Sequence, residues 1–182
     1  MNEQLPSEKM ALKLLSENGC SIRVINHCKA VEKVAMEIAE ACKKKGLNVD
    51  VKLVQIGALL HDIGRSKTHG VDHAIIGAEI ARSLNLPEAV ISIIERHVGG
   101  GITTEEAKNL GWPVKSYVPE TLEEKIVTYA DKLIEGSERV SIEQTIKKFS
   151  KTLPPSAIAG MRKLHEEIIS LVGDLDTTSR VA

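Results

Sequence analysis

The chain has 182 residues, a formal net charge of −1 and 42% hydrophobic residues, which predicts a single domain with a sizeable core. Because cationic and anionic side chains balance, no general basic field draws the chain to nucleic acid or to an anionic membrane. Aromatic residues make up only 2%, which argues against a stacking surface for single strands. No apolar run has membrane-spanning length, and the polar N-terminus is unlike a signal peptide.

The cysteines indicate the compartment. Cys20, Cys28 and Cys42 lack the CxxC spacing of many metal sites, so they are predicted to be reduced, mostly buried thiols of a cytoplasmic protein. The single domain is expected to contain a core at about residues 20–135, C-terminal helices over 137–173 and a frayed tail over 174–182.

Apolar residues recur at helical spacing along most of the chain, and no region alternates with a period of two. The sequence therefore predicts an all-α fold, a compact bundle of about seven to eight helices. Ser7, Ser21, Asp50 and Asp72 can each cap one of the first four helices, and Thr121 can cap a later one.

The region from Val98 to Pro119 differs from the helices around it. It contains the run Gly99-Gly100-Gly101, a short helical pattern, and two of the few large aromatic residues, Trp112 and Tyr117. Such an insert is either a lid or pocket wall, or a surface loop held by an aromatic plug. The sequence leaves both interpretations open.

Two ionisable residues stand side by side in the stretch Leu59-Leu60-His61-Asp62-Ile63-Gly64. They end an apolar run that is predicted to be a buried helix. An Asp is rarely found at such a place without a partner or a metal. For this stretch alone, a helix end with a core histidine is an equally simple interpretation, with Gly64 as the stop.

Further polar residues at core-facing or terminal helix positions extend this site. His27 lies on the apolar face of the second predicted helix, and Asp131 lies inside a later helix, where Asp is unfavourable without a reason. Together with His61 and Asp62 they make two imidazoles and two carboxylates, which suit a divalent transition metal. Such a set leaves coordination positions for water and substrate oxygens.

The order His27, His61-Asp62, Asp131 resembles the HD-domain phosphohydrolase superfamily, and His61-Asp62-Ile63-Gly64 resembles its HDIG subgroup. The context Tyr129-Ala130-Asp131-Lys132-Leu133 and the Arg23-x3-His27 opening are also similar. The resemblance covers roughly residues 20 to 135. It implies that His27, His61, Asp62 and Asp131 hold a metal ion within a helical bundle.

Two further histidines resemble those of HDIG cyclic-dinucleotide phosphodiesterases. His73, followed by Gly77, is similar to their third histidine, and His97 to the first member of their His-His pair. Here the second member is Val98, and no Gly-Tyr-Pro triplet is present, which excludes the HD-GYP group proper. The resemblance implies one or two divalent ions (Mn, Fe, Co, Ni or Zn), with Asp62 bridging if there are two.

The resemblance implies a metal-dependent phosphohydrolase that cleaves a phosphomonoester or phosphodiester of a nucleotide with a metal-activated water, which Asp62 would orient as the catalytic residue. Arg23, Arg65 and Lys67 are candidates to bind phosphoryl oxygens, or are simply solvated. His165 is expected on a helix surface.

Two other functions are weighed against this one. The first is a non-catalytic regulatory module that binds a metal or a nucleotide. The second is a nuclease subunit acting on RNA ends, against which the neutral charge and scarce aromatics count. The expected partner is a small phosphorylated molecule, not a membrane or a nucleic acid, and a homo-oligomer is left open.

Overall fold

Short polar side chains begin most helices of the chain. In each case the side chain accepts a hydrogen bond from the backbone N–H three residues further on, which satisfies one of the unpaired donors of the first turn. The residues that do so are Ser7, Ser21, Asp50, Thr103, Thr121 and Ser141. At Thr103, Thr121 and Ser141 a Glu or Gln side chain returns the bond and completes a capping box.

The computed structural model describes residues 4–173 and confirms the predicted all-α class, with nine α-helices in that range. The elements, in chain order, are α1 Glu8–Glu17, α2 Ile22–Lys44, α3 Val51–Leu60, a 3-10 turn Ile63–Ser66, α4 His73–Ser83, α5 Glu88–Arg96, α6 Thr104–Asn109, α7 Leu122–Lys132, β1 Ile134–Glu135, β2 Glu138–Arg139, α8 Ile142–Phe149 and α9 Pro155–Val172. The predicted frayed tail over 174–182 lies outside the described residues.

One predicted cap was wrong. Asp72 precedes α4, but its backbone is helical and its side chain makes no bond to the first turn. Its Oδ1 atom instead accepts a hydrogen bond of 3.2 Å from the Thr68 hydroxyl. The loop before α4 is therefore held by side chains of the loop itself.

A small hairpin after α7 was not predicted. β1 and β2 pair antiparallel over two residues each, and Gly136 in the turn between them has a φ of +61°. Strands of this length are too short to show an alternating pattern, so they could not be predicted from periodicity. The hairpin is nevertheless important, because its turn contacts one of the candidate metal ligands.

The long helix α2 lies at the centre of the bundle and contributes to two adjoining apolar clusters. One cluster packs α2 against α7, α8 and α9, and the other packs it against α1, α3, α4 and α5. Cys20, Cys28 and Cys42 are buried with free thiols. In the part of the chain that the structure describes, no helix is long and apolar enough to cross a membrane.

The insert between α5 and α7 has a small core of its own. The rings of Trp112 and Tyr117 meet edge to face with centroids 5.2 Å apart, and they pack with Ala74, Ile102 and Ala107. The aromatic pair therefore acts as a plug that holds the insert together. Other residues of the insert line a cavity. The insert is therefore a pocket wall and is also held together by an aromatic plug.

Candidate metal centre

Six side chains meet where several helices end. His27 comes from the second turn of α2, His73 begins α4, His97 follows α5, and Asp131 lies in the last turn of α7. The sequence placed His61 and Asp62 on the third helix, but α3 ends at Leu60 and both residues follow it directly. Leaving the helix lets these two neighbouring side chains point into the same centre.

The first group of contacts surrounds Asp131. Its Oδ1 atom lies 3.0 Å from Nε2 of His27 and 3.5 Å from Nε2 of His61. Both of these Nε2 atoms also lie 3.7 Å from Oδ2 of Asp62. Four potential ligand atoms from three parts of the chain thus surround one small volume.

The second group surrounds the other oxygen of Asp62. Oδ1 lies 3.2 Å from Nε2 of His73 and 3.3 Å from Nε2 of His97. These two nitrogens are 2.9 Å apart. Asp62 therefore stands between the two groups and turns one oxygen toward each.

Backbone carbonyls orient all four imidazoles in the same way. Nδ1 lies 2.8 Å from the Gly136 carbonyl in His27, 2.7 Å from that of Ala58 in His61, 2.7 Å from that of Gly70 in His73 and 2.6 Å from that of Ile94 in His97. A neutral imidazole that donates from Nδ1 presents a lone pair at Nε2. In its neutral form every ring therefore directs a lone pair at the centre, which is the usual outer-shell arrangement of a metal-ligating histidine.

Buried atoms without partners test whether a cation fits. Nε2 of His61 and Oδ1 of Asp62 are buried and make no hydrogen bond. A buried acceptor left unpaired costs free energy, and a divalent cation would satisfy both atoms. Three-residue groups with ligand atoms within 4.8 Å of one another are formed by His27, His61 and Asp131, and by His61, Asp62 and His97. The donor set of imidazole and carboxylate fits a first-row transition metal.

The protonation states suit the same role. Burial alone would raise the pKa of Asp62, but the facing imidazoles of His61, His73 and His97 hold it well below its ordinary value. Burial opposes ionisation of Asp131 too, but the ammonium of Lys132 and the imidazoles of His27 and His61 together outweigh it, so the pKa of Asp131 is also well below its ordinary value. Burial lowers the pKa of His97 to about 4. Both carboxylates are thus ionised and His97 is neutral at neutral pH, as ligands must be.

Two cations hold the carboxylates in place. Arg65 Nε donates to Asp62 Oδ2 over 2.6 Å. Lys132 Nζ donates to Asp131 Oδ2 over 2.5 Å and to the His97 carbonyl over 3.3 Å. Lys132, which is buried, thus connects the two groups of contacts. Sequence reasoning missed it, although a lysine in a core helix directly after Asp131 was a usable signal.

The three predicted substrate-binding cations lie in different places. Arg65 lines the cavity beside the centre. Arg23 and Lys67 are exposed and do not belong to the cavity lining. His165, expected at a helix surface, is half-buried, and its Nδ1 lies 2.7 Å from the Tyr129 hydroxyl.

Gly64 has a packing role that the sequence did not reveal. A Cβ atom at this position would lie 1.9 Å from the His73 carbonyl oxygen and 2.7 Å from the Gly77 nitrogen. The 3-10 turn therefore lies directly on the first turn of α4. This close approach brings Asp62 and His73 together, so Gly64 is required by contact rather than as a helix stop.

The centre opens into a cavity of about 610 Å³. His27, His73, His97, Asp131 and Lys132 face it at one end. Ligand cavities in proteins commonly have volumes of ~300–1,000 Å³. The candidate metal centre is therefore accessible to a small molecule while most of its ligand atoms stay shielded from bulk water.

A helical bundle whose clustered His and Asp side chains could hold a metal ion at one open cavity is a recognisable class of domain. The chain belongs to the HD domain family, whose model matches residues 24–136. The match confirms the resemblance to the superfamily that the motifs indicated.

Three proteins are similar to all or most of this chain. Over 164 residues the chain is 52% identical to the uncharacterized protein MJ0778 of Methanocaldococcus jannaschii, covering 89% of this chain and 96% of that protein. Over 177 residues it is 44% identical to a tRNA (cytidine(56)-2'-O)-methyltransferase of Picrophilus torridus, covering 97% of this chain but only 50% of the methyltransferase. The fold is similar to the HD domain of the L. monocytogenes phosphodiesterase PgpH in complex with cyclic-di-AMP, with a TM-score of 0.52 and 19% identity over 95% of this chain and 98% of the other.

Proposed function

We propose that the protein is a metal-dependent phosphohydrolase that cleaves a phosphomonoester or phosphodiester bond, with a nucleotide as the substrate. The observation that carries this proposal is the position of Asp62, whose two oxygens face two groups of imidazole and carboxylate ligands at the end of an open cavity. Membership of the HD domain family supports it, and so does the fold shared with a phosphodiesterase.

Each side chain has a separate task in this scheme. His27, His61, Asp62 and Asp131 would hold the first ion, and His73 and His97 with the second oxygen of Asp62 would hold a further one. A divalent ion would supply a water of lowered pKa as the nucleophile and would neutralise charge on phosphoryl oxygens. Asp62 would orient that water toward phosphorus.

Lys132 and Arg65 keep the carboxylates in position. Each donates to one carboxylate oxygen, and a carboxylate has about four lone-pair sites, so the bonds leave room for a metal ligand on the same group. Arg65 also faces the cavity, where the remaining N–H groups of its guanidinium can bind a phosphoryl oxygen.

Metal analysis of the purified protein is the first test. It is followed by a screen of mono-, di- and cyclic nucleotides with Mn²⁺, Co²⁺, Ni²⁺, Fe²⁺ and Mg²⁺. We expect transition-metal-dependent hydrolysis of a phosphomonoester or phosphodiester bond in at least one of these nucleotides. Asp62→Asn should abolish this hydrolysis, whereas Asp72→Asn, an exposed carboxylate nearby, should keep it. Hydrolysis that survives in Asp62→Asn would overturn the mechanism.

A second candidate is the regulatory module. The observation in its favour is that the chain spans half of a 44% identical relative named for methyl transfer rather than hydrolysis. In that case the wild-type protein would bind metal and nucleotide in equilibrium measurements but release no product with any of the five ions.

A further inference from the structure

The lining of the cavity combines two kinds of side chain. Those of the metal centre are polar, as described above. Others are apolar and come from the hairpin, from the end of α8, from the segment joining α8 to α9 and from α9 itself. They are Ile134, Phe149, Leu153, Ala157 and Met161. The space that these apolar residues line is called the apolar compartment below.

The insert closes the compartment from the other side, where Ile102 and Leu110 line it. Its glycine loop lies directly against α9: a Cβ atom on Gly100 would come within 2.3 Å of the Gly160 carbonyl carbon. Ser156 also donates to Glu106 over 3.1 Å, which joins α9 to α6. The compartment is thus a fixed gap between two fastened elements, and it exists before a ligand binds.

The charges of the lining limit what else a substrate can carry. Among the described residues that line the cavity, the cationic side chains are Arg65, Lys132 and Lys148. Each already has a carboxylate partner, namely Asp62, Asp131 and Glu135 respectively. A second or third phosphate beyond the metal centre would therefore have to compete with a carboxylate for each lining cation, which disfavours a substrate with several phosphates.

We infer that the substrate presents one phosphoryl group to the metal centre and places an uncharged, largely apolar organic group in the compartment. This inference rests on the proposed function and names its substrate class: esters with a single phosphate and a flat or apolar group, in preference to di- and triphosphates. Ala157 and Leu153 determine specificity, because they line the compartment and do not belong to the metal ligands.

The test compares substrates at saturating Mn²⁺. We expect kcat/KM for 1-naphthyl phosphate to exceed that for glycerol phosphate roughly tenfold, the scale of apolar discrimination in a pocket. Adenosine monophosphate should likewise be preferred to adenosine triphosphate. Ala157→Phe fills the compartment and should remove the preference for the naphthyl ester over glycerol phosphate. Ala159→Phe, on the exposed side of the same helix, should leave that preference unchanged.

A second variant and a binding measurement keep the two proposals distinguishable. Leu153→Lys supplies the missing cation and should reduce the preference for the monophosphate over the triphosphate. The fluorescence of 1-naphthylmethylphosphonate, which cannot be hydrolysed, reports binding without turnover, and Ala157→Phe should weaken that binding while Ala159→Phe does not. If no ester is hydrolysed but this binding pattern holds, the proposed function fails and the compartment stands. Equal binding by wild type and Ala157→Phe overturns the inference.

Discussion

The Nε2 atoms of His73 and His97 lie 2.9 Å apart although the Nδ1 of each ring already has a backbone carbonyl as its partner. Two neutral rings in this tautomer direct lone pairs at each other, so a cation between or beside them is needed to make the contact favourable. A proton on one Nε2 would serve this purpose only by placing a charged imidazolium in a buried site, and burial lowers the pKa of His97 to about 4.

We expect a second, weaker metal position beside this contact. The resemblance to HDIG phosphodiesterases implies a further histidine where Val98 stands, so an ion beside His73 and His97 would be held by fewer protein ligands than the other. We expect about two ions per chain at high metal concentration, and the loss of one first on mild chelation. The measurement is metal content by mass spectrometry during stepwise chelation.

The double variant His73→Ala, His97→Ala isolates the other position. It should retain about one ion per chain and lose most activity, because only one side of the phosphoryl group would still be neutralised. Unchanged metal content together with unchanged activity would reduce the centre to a single ion held by His27, His61, Asp62 and Asp131.

Gly64→Ala should be strongly destabilising. The new methyl group would lie 1.9 Å from a backbone oxygen of α4, which a rotamer change cannot relieve. The free energy of unfolding should fall by ~2–3 kcal/mol or more, and the His73 position should lose metal affinity because the turn is pushed away from α4. Urea unfolding and metal titration measure the two effects.

Gly70→Ala is the matched control in the same loop. Its Cβ would meet the exposed side chain of Asp72 at 2.6 Å, and a flexible side chain can move aside. A loss of stability in Gly70→Ala as large as that in Gly64→Ala would refute the explanation by backbone contact.

Lys132→Met should destabilise the metal-free protein more than the metal-loaded one. The substitution leaves Asp131 Oδ2 without its donor, which costs ~1–3 kcal/mol for a buried group. A bound divalent ion supplies positive charge to the same carboxylate and should offset part of the loss. Thermal unfolding with and without Mn²⁺ measures the difference, and Lys132→Arg should restore much of it.

Lys125→Met on the same helix provides the comparison. Lys125 pairs with Glu167 at a partly exposed site, so its loss should cost less than ~1 kcal/mol and should not depend on metal. If metal reduced the loss of stability equally in both variants, Lys132 would not act through the metal centre.

The cysteines should resist alkylation in the folded protein. Burial raises the pKa of the Cys20 thiol to about 11, with the nearby Asp62 carboxylate adding to the effect, and burial raises the pKa of Cys28 well above its ordinary value. Because the thiolate is the reactive form, iodoacetamide at pH 8 should label neither residue. Three labels should appear in urea, and mass spectrometry counts them. Rapid labelling of Cys20 in the native protein would contradict this explanation.

Helix starts and core faces were accessible from the sequence because their signals are local. Ser7, Ser21 and Thr121 cap the helices that the apolar spacing predicted, and the all-α class followed. The side chains of His61 and Asp131 could also be assigned to one centre, because the order of the His and Asp motifs indicated a shared site. Helical periodicity alone does not indicate such a site. Their role as ligands stays a prediction.

Features that depend on close tertiary contact could not be predicted from the sequence. The carbonyl of Gly136 orients His27 from a hairpin with no sequence signature. The need for Gly64 depends on the position of a backbone atom nine residues away. The carboxylate partners of Lys132 and Arg65 were equally hidden, because the pairing depends on tertiary contact rather than on any spacing.

The contact between His27 and Gly136 joins positions 109 residues apart in the chain, and this separation has a kinetic consequence. Local contacts form early in folding, while contacts across long loops wait for the intervening segments to dock. His27 acquires its ligand orientation only when α7 and the hairpin have settled on α2. A metal ion should therefore bind after the bundle has assembled. It would stabilise the assembled fold rather than nucleate folding.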